Sequence, residues 1–216
     1  MNLVTVFGGS GFLGRYVVRQ LSSKGFFVRV IVRNPNEALF LKVYGKVGQI
    51  QLISGDIKEE KKIQEYIKGS NCVINCVATF FETRLQSFNV LHVNAAKNLA
   101  NIAKEEGIDQ FIHISSLGAS TKSSSQLLKS KGVGEEAVLQ CFPNANIIRP
   151  SLIFGNEDTF FNRFARLSSI SPLIPVVGSA TKFQPVYVDD VAKAISVLVE
   201  TGQQKRYLEL GGEETY

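Results

Sequence analysis

Apolar, strand-like runs alternating with amphipathic helical stretches predict an α/β fold, a doubly wound parallel sheet with helices on both faces. Two further observations point the same way. A glycine-rich turn joins the first run to the first helical stretch, and 216 residues suit one such domain with a small appendage. Strands are expected at 2–7, 27–33, 50–54, 72–77, 110–115 and 145–149, and helices near 11–24, 59–68, 87–106 and 126–140. Leu13, Val17, Val18 and Leu21 recur at near-helical spacing and give the first helix a core-facing stripe. Leu91, Ala95, Leu99, Ile102 and Ala103 do the same in the helix at 87–106, which Gly107 stops.

Beyond Pro150 the pattern loosens. Phe160 to Ala165 reads as a short helix, Pro172 and Pro175 break the chain, and Val188-Asp189-Asp190 reads as a strand end and helix cap. Residues 206–210 supply one more strand. The expected organisation is a dinucleotide-binding core over 1–150. Residues 151–216 form a small, incomplete C-terminal region packed on the same domain, its face near 155–190 partly uncovered.

Composition narrows the function classes. Hydrophobic residues at 44% and charged residues at 20% suit a packed core rather than disorder. No apolar run approaches the ~18–20 residues that span a bilayer. A net charge of +5 without a dense basic block gives no nucleic-acid signature. Cys72 and Cys76 share one face of a strand but lie about 13 Å apart, beyond disulfide reach. With Cys141 elsewhere and His92 and His113 the only histidines, no zinc set assembles, and buried, reduced thiols are expected. The chain opens directly on the strand Leu3 to Phe7, with no charged and apolar leader pattern. Ser120 to Ser125 reads as a flexible loop.

The chemistry begins at Gly8-Gly9-Ser10-Gly11-Phe12-Leu13-Gly14, between the first strand and the first helix. Residues without Cβ fold such a turn tightly and let a pyrophosphate approach the helix N-terminus, where unpaired N–H groups and the helix dipole favour negative charge. Strand, glycine turn and helix in this order are the dinucleotide signature of a Rossmann fold. The second strand ends in Arg33, where an NAD-preferring site usually places an acid for the ribose 2′-OH. A planar cation suits a 2′-phosphate instead, and Arg15 in the first helical turn could assist, so NADP(H) is favoured over NAD(H). At the end of the third strand, Asp56 could accept from the adenine amino group while Ile57 packs on the ring.

With GGSGFLGR, GDI, VNAAKNL, FIHISSLGA, KSKGVGEEAV, IIRPSLIFG and PVYVDDVA in hand, the chain resembles the extended short-chain dehydrogenase/reductase superfamily over essentially its whole length. The stretch IIRPSLIFGNEDTFFNRFA resembles the superfamily's atypical, epimerase/dehydratase-like branch. That branch holds the large NADPH-binding accessory subunit of respiratory complex I and its bacterial relatives. The resemblance implies that Gly8, Ser10, Gly11, Phe12, Leu13 and Gly14 embrace the pyrophosphate, that Arg33 meets the 2′-phosphate, and that Asp56 and Ile57 hold the adenine. It places Val77 and Ala78 beside the cofactor ribose, and Ser151 to Ile153 at the nicotinamide pocket. Asn94 matches a helix asparagine that organises an active-site water. Ser116 matches the serine on the substrate oxygen, and Lys131 the lysine on the nicotinamide ribose.

One departure bears on activity. The superfamily's proton donor is a tyrosine four residues before the lysine, and here that position is Leu127. The expected function is therefore NADP(H) binding with a mainly structural or sensory nucleotide. The alternative is an active NAD(P)H-dependent oxidoreductase or epimerase/dehydratase on a small or quinone-like substrate, with Ser116, Lys131, Phe80, Phe81, Phe160 and Phe161 framing the pocket. A third reading is a regulatory sensor that exchanges the nucleotide and changes partner. The resemblance further implies a respiratory-chain or quinone-related protein assembly as partner and peripheral membrane association. It places the protein on the cytoplasmic side of a bacterial inner membrane or the matrix side of a mitochondrial one.

Overall fold

A computed structural model describes residues 2–83, 87–170 and 181–216, and a seven-stranded sheet runs through its centre. The strands are β1 (Leu3–Phe7), β2 (Phe27–Val32), β3 (Ile50–Ser54), β4 (Cys72–Asn75), β5 (Gln110–Ile114), β6 (Asn146–Pro150) and β9 (Tyr207–Leu210). Their order is β3-β2-β1-β4-β5-β6-β9, every pair parallel. The order reverses beside β1, so the crevice between β1 and β4 opens at the carboxyl ends of the strands, where doubly wound sheets bind ligands.

Burial on both faces explains the strands' near-continuous apolar sequences. On one side Val4, Val6, Val28 and Val30 pack with Val17, Val18 and Leu21 of α1 (Phe12–Ser23) and Ile195 of α6 (Val188–Thr201). On the other, Phe7, Ile31 and Phe111 meet Ile63 and Ile67 of α2 (Glu60–Ile67) and Leu99 of α3 (Ala96–Glu105). Cys72 and Cys76 belong to the first cluster, and all three cysteines are free. Burial raises the Cys76 thiol to about 12.

Three segments differ from their sequence patterns. Residues Pro35–Tyr44 form a 3₁₀ helix, capped by the Asn34 side chain, which accepts from the Asn36 N–H at 3.2 Å. Pro35, Ala38, Leu41 and Tyr44 recur every third residue, a period that a search for 3.6 passes over. The helix expected at 87–106 begins instead as a π-helical segment, Asn89–Ala95, before α3. Asp189 is not a helix cap. Tyr187 occupies the cap position, and the Asp189 carboxylate accepts from Arg19 at 2.7 Å and Gln20 at 2.8 Å, fastening α6 to α1.

Residues 151–216 contribute to two places. α6 and β9 complete the main sheet and its cover, while β7 (Ile153–Phe154) and β8 (Val186–Tyr187) form a separate parallel pair. α5 (Phe161–Ile170) is longer than the short helix expected and buries none of its residues. Pro172 and Pro175 lie outside the described residues. Among the described residues, no helix is long and apolar enough to cross a membrane.

Candidate nucleotide-binding site

A groove of about 220 Å³ runs across the carboxyl ends of the first four strands. Gly8, Ser10 and Gly11 form its floor, Arg33 with Asp56, Ile57 and Lys58 closes one end, and Cys76, Val77 and Ala78 form the wall beyond β4. Residues predicted from four separate segments thus converge on one cleft. A hollow of about 270 Å³ on the opposite edge, between Asn2, Asn71 and Gly202, is larger but lies at the amino ends of the strands.

The turn is shaped by close approach. Gly8 has φ +75°, and a Cβ there would come within 3.0 Å of the Cys76 carbonyl group. At Gly14 a Cβ would lie 2.2 Å from the Gly8 oxygen, so the first turn of α1 packs directly on the loop that precedes it. Gly11 is the N-cap of α1, and no side chain caps the helix. Its first amides therefore face the groove as anion donors. Phe12 and Leu13 instead pack against the core beside the turn, as does Ile153.

The two arginines diverge. Arg33 is exposed at the end of β2 and lines the groove. Arg15 donates to the Ser10 carbonyl at 3.3 Å, lies 4.8 Å over the Phe40 ring and faces Glu157 at 3.7 Å, so it braces the turn from outside the groove. Lys58, which the sequence pattern did not single out, supplies a second cation at the Arg33 end of the groove. It sits 3.5 Å from Asp56, whose side chain also accepts from the Lys58 N–H at 3.0 Å.

Beyond β4 and β5 the groove gives way to a polar cluster. Lys131, one turn into α4 (Gln126–Cys141), is 6% exposed and donates to the Ser115 carbonyl at 3.2 Å. Burial lowers its pKa to about 8, against a smaller raising influence from Glu135. The hydroxyls of Ser115 and Ser116 are buried and have no partner. Leaving such groups unpaired is costly, and hydroxyls of a bound ribose or a substrate oxygen would satisfy them. The site therefore fits a nicotinamide dinucleotide. Leu127 occupies the position before Lys131 where the superfamily has tyrosine, and α4 contains no tyrosine at all.

Both histidines belong to this cluster. The Thr79 N–H donates to His92 Nε2 at 3.1 Å, which places the imidazole proton on Nδ1. Nδ1–H then donates to Ser130 Oγ at 2.9 Å, and Ser130 donates to the Leu127 carbonyl at 2.8 Å. In this tautomer His92 cannot take a proton from Ser130, so the pair is a latch between the β4 loop and α4 and not a nucleophile with its base. His113 Nδ1 accepts from Asn75 at 3.2 Å, and Asn75 Oδ1 accepts from the Val77 N–H at 3.0 Å, fixing the wall of the groove. Burial and the Lys131 charge hold His92 near 4 and His113 near 3. Asn94 lies exposed on the π-helical segment, and Ser151 is tied by its N–H to the Leu210 carbonyl at 2.8 Å. Asn75 and His113 had a signal in the sequence, as polar residues inside the apolar runs CVINC and FIHIS.

Residues 1–133 match the NmrA-like family. The chain belongs to that family. Proteins of similar sequence include the mitochondrial NADH dehydrogenase [ubiquinone] 1 alpha subcomplex subunit 9 of Mus musculus, 44% identical over 89% of this chain and 52% of that protein. The Dictyostelium discoideum protein of the same name is 38% identical over 99% and 60%, and the ceramide reductase of Caulobacter vibrioides 30% over 92% and 61%. The chain thus spans about half to three-fifths of the length of these relatives. In fold it is similar to the dTDP-glucose 4,6-dehydratase DesIV of Streptomyces venezuelae, solved with NAD bound, at a TM-score of 0.80 and 18% identity, covering 100% of this chain and 77% of that one. This NmrA-like chain has the NAD(P)-binding Rossmann fold of the atypical short-chain dehydrogenases/reductases and resembles the complex I accessory subunit.

Proposed function

We propose that this NmrA-like protein holds NADP(H) in preference to NAD(H) and keeps it as a structural or sensory nucleotide. The observation that carries the reading is the adenosine end of the groove, where Arg33 and Lys58 face the cleft and the strand end offers no acid to a ribose 2′-OH. Gly8, Ser10 and Gly11 would hold the pyrophosphate, Asp56 and Ile57 the adenine, Val77 and Ala78 the ribose side, and Lys131 with Ser116 the nicotinamide end. Phe12, Leu13, Gly14, Ser151 and Ile153 would shape the turn and pocket from behind. Leucine at 127 removes the proton donor on which rapid turnover depends, a loss worth about 10²–10⁴ in rate. Similarity to complex I subunits supports a place in a respiratory or quinone-related assembly, on the matrix side in mitochondria or the cytoplasmic side in bacteria.

Nucleotide affinity tests this reading. NADPH should bind the wild type more tightly than NADH by roughly tenfold to a hundredfold, as expected for a charge-assisted phosphate contact. Arg33→Ala should remove most of that margin while leaving NADH affinity unchanged. Equal wild-type affinities for the two nucleotides would sink it.

A second reading, an active reductase, is favoured by the unpartnered Ser116 hydroxyl beside the buried Lys131. Substrate-dependent NADPH oxidation across carbonyl, quinone and sugar-nucleotide compounds, measured on wild type and Leu127→Tyr, separates the two. Brisk wild-type turnover would defeat the structural-nucleotide reading.

A further inference from the structure

Asp56, assigned above to the adenine, is held in place by two residues that line no part of the groove, Glu59 and Tyr66. Glu59 is the N-cap residue of α2, where a carboxylate ordinarily accepts from the first amides of its own helix. It makes no such bond. Its Oε2 instead accepts from the Asp56 N–H at 3.1 Å and from the Tyr66 hydroxyl at 2.5 Å, while Lys62 meets Oε1 at 3.1 Å. The Glu59 N–H returns to the Asp56 carbonyl at 2.9 Å, which closes a ring of hydrogen bonds around the turn. α2 forgoes its side-chain cap, and the carboxylate serves the loop.

Tyr66 carries that hold back to the core. It is 4% exposed, and its ring meets Phe7 edge-on with centroids 6.4 Å apart. A Cβ at Gly55 would lie 2.5 Å from the ring and 2.6 Å from the hydroxyl oxygen, so the backbone just before Asp56 rests directly on the tyrosine. Core, tyrosine, carboxylate and loop form one chain, and Asp56 is its last link. There Oδ1 accepts from the Lys58 N–H at 3.0 Å, which leaves Oδ2, 3.5 Å from the Lys58 ammonium, as the oxygen available to a base. An ionised carboxylate only accepts, so a fixed Oδ2 favours a base that presents an amino donor and repels one that presents a carbonyl oxygen. A carboxylate free to swing would accept from water and discriminate little, so the preference depends on what holds the loop.

We propose that Glu59 and Tyr66 are positioning residues that give the groove its base specificity, adenine over hypoxanthine. The proposal rests on the assignment of Asp56 to the adenine, and its test separates the two. The full chain is titrated with NADPH and with the analogue in which hypoxanthine replaces adenine, so that a carbonyl oxygen stands where the amino group was. Both carry the same 2′-phosphate, so the ratio of their affinities is independent of Arg33. Wild type should bind the adenine form about tenfold to a hundredfold more tightly, the range of a hydrogen bond to a charged acceptor. Glu59→Ala should bring the ratio to within about threefold of unity. Tyr66→Phe, which keeps the ring and its packing, should lower the ratio at least about threefold. Glu59→Gln retains an acceptor for the Asp56 N–H and should keep most of the preference. Affinity for the hypoxanthine form should stay within about threefold of wild type in all three variants. A full preference in Glu59→Ala or in Tyr66→Phe would overturn the proposal. So would an equal loss of affinity for both bases, which would reduce the pair to support of the fold. A wild type that binds the two forms equally would strike the assignment of Asp56 to the adenine, and the proposal with it.

Discussion

Lys131 is a cation kept in the core with one carbonyl oxygen as its hydrogen-bond partner, and its cost to the fold can be measured. Its pKa is about 8 in the folded chain, chiefly through burial, against 10.5 as the ordinary value. Between those values the unfolded chain binds a proton that the folded chain does not, so this residue makes stability rise with pH. That depression corresponds to about 3 kcal/mol of destabilisation at pH 7, of which about 1 kcal/mol persists at pH 9.5. Lys131→Met keeps the volume and removes the charge, at the cost of the hydrogen bond to Ser115, worth about 1 kcal/mol. In nucleotide-free protein the variant should therefore be more stable than wild type at pH 7 by about 2 kcal/mol. Its advantage should narrow by about 2 kcal/mol on going to pH 9.5. Comparing the two proteins at each pH cancels the other groups that titrate there, the thiols among them. Urea unfolding at pH 7.0, 8.5 and 9.5 gives the series. A variant less stable than wild type at pH 7, with a gap that stays flat across the series, would refute the reasoning. If Lys131 meets the nicotinamide ribose as proposed, the same variant should bind the dinucleotide more weakly.

Acid should act through the histidines. Both have folded values depressed below 6.5, so stability is full above that pH and declines as pH falls towards 4 and 3, by about 3 kcal/mol between pH 7.5 and 5.5. A urea midpoint unchanged over that range would contradict the burial of His92 and His113 as neutral imidazoles. Arg149 holds Glu135, whose side chain is 2% exposed, through contacts of 2.6 and 3.0 Å, so Arg149→Met should cost about 3–5 kcal/mol by stranding a buried carboxylate. Adding Glu135→Gln to that variant should recover part of the loss in thermal unfolding. Gly14→Ala should destabilise the chain and weaken nucleotide binding together, since its Cβ would meet the Gly8 oxygen at 2.2 Å. A thermal midpoint within 1 °C of wild type would show that the turn can yield.

The parts of this protein that follow from local chemistry were legible in its sequence. Strand–glycine turn–helix is such a part, because the absence of Cβ and the 3.6-residue stripe of Leu13, Val17, Val18 and Leu21 act within a dozen residues. The convergence of Arg33, Asp56 and Val77 was legible too, since parallel strands carry their carboxyl ends to one edge. Three matters were decided only in tertiary structure. Arg15 could meet a phosphate or brace the turn, and the tertiary structure sets it over the Phe40 ring and towards Glu157, 142 residues away. His92 was one of two histidines without a visible role until the Thr79 amide and Ser130, on different elements, fixed its proton. Asp189 reads as a helix cap in sequence, yet Arg19 and Gln20 of α1 outbid the local amides for its carboxylate. In each case the side chain has several partners of similar energy within reach, and local sequence cannot choose among them. The choice belongs to whichever distant segment the sheet brings alongside.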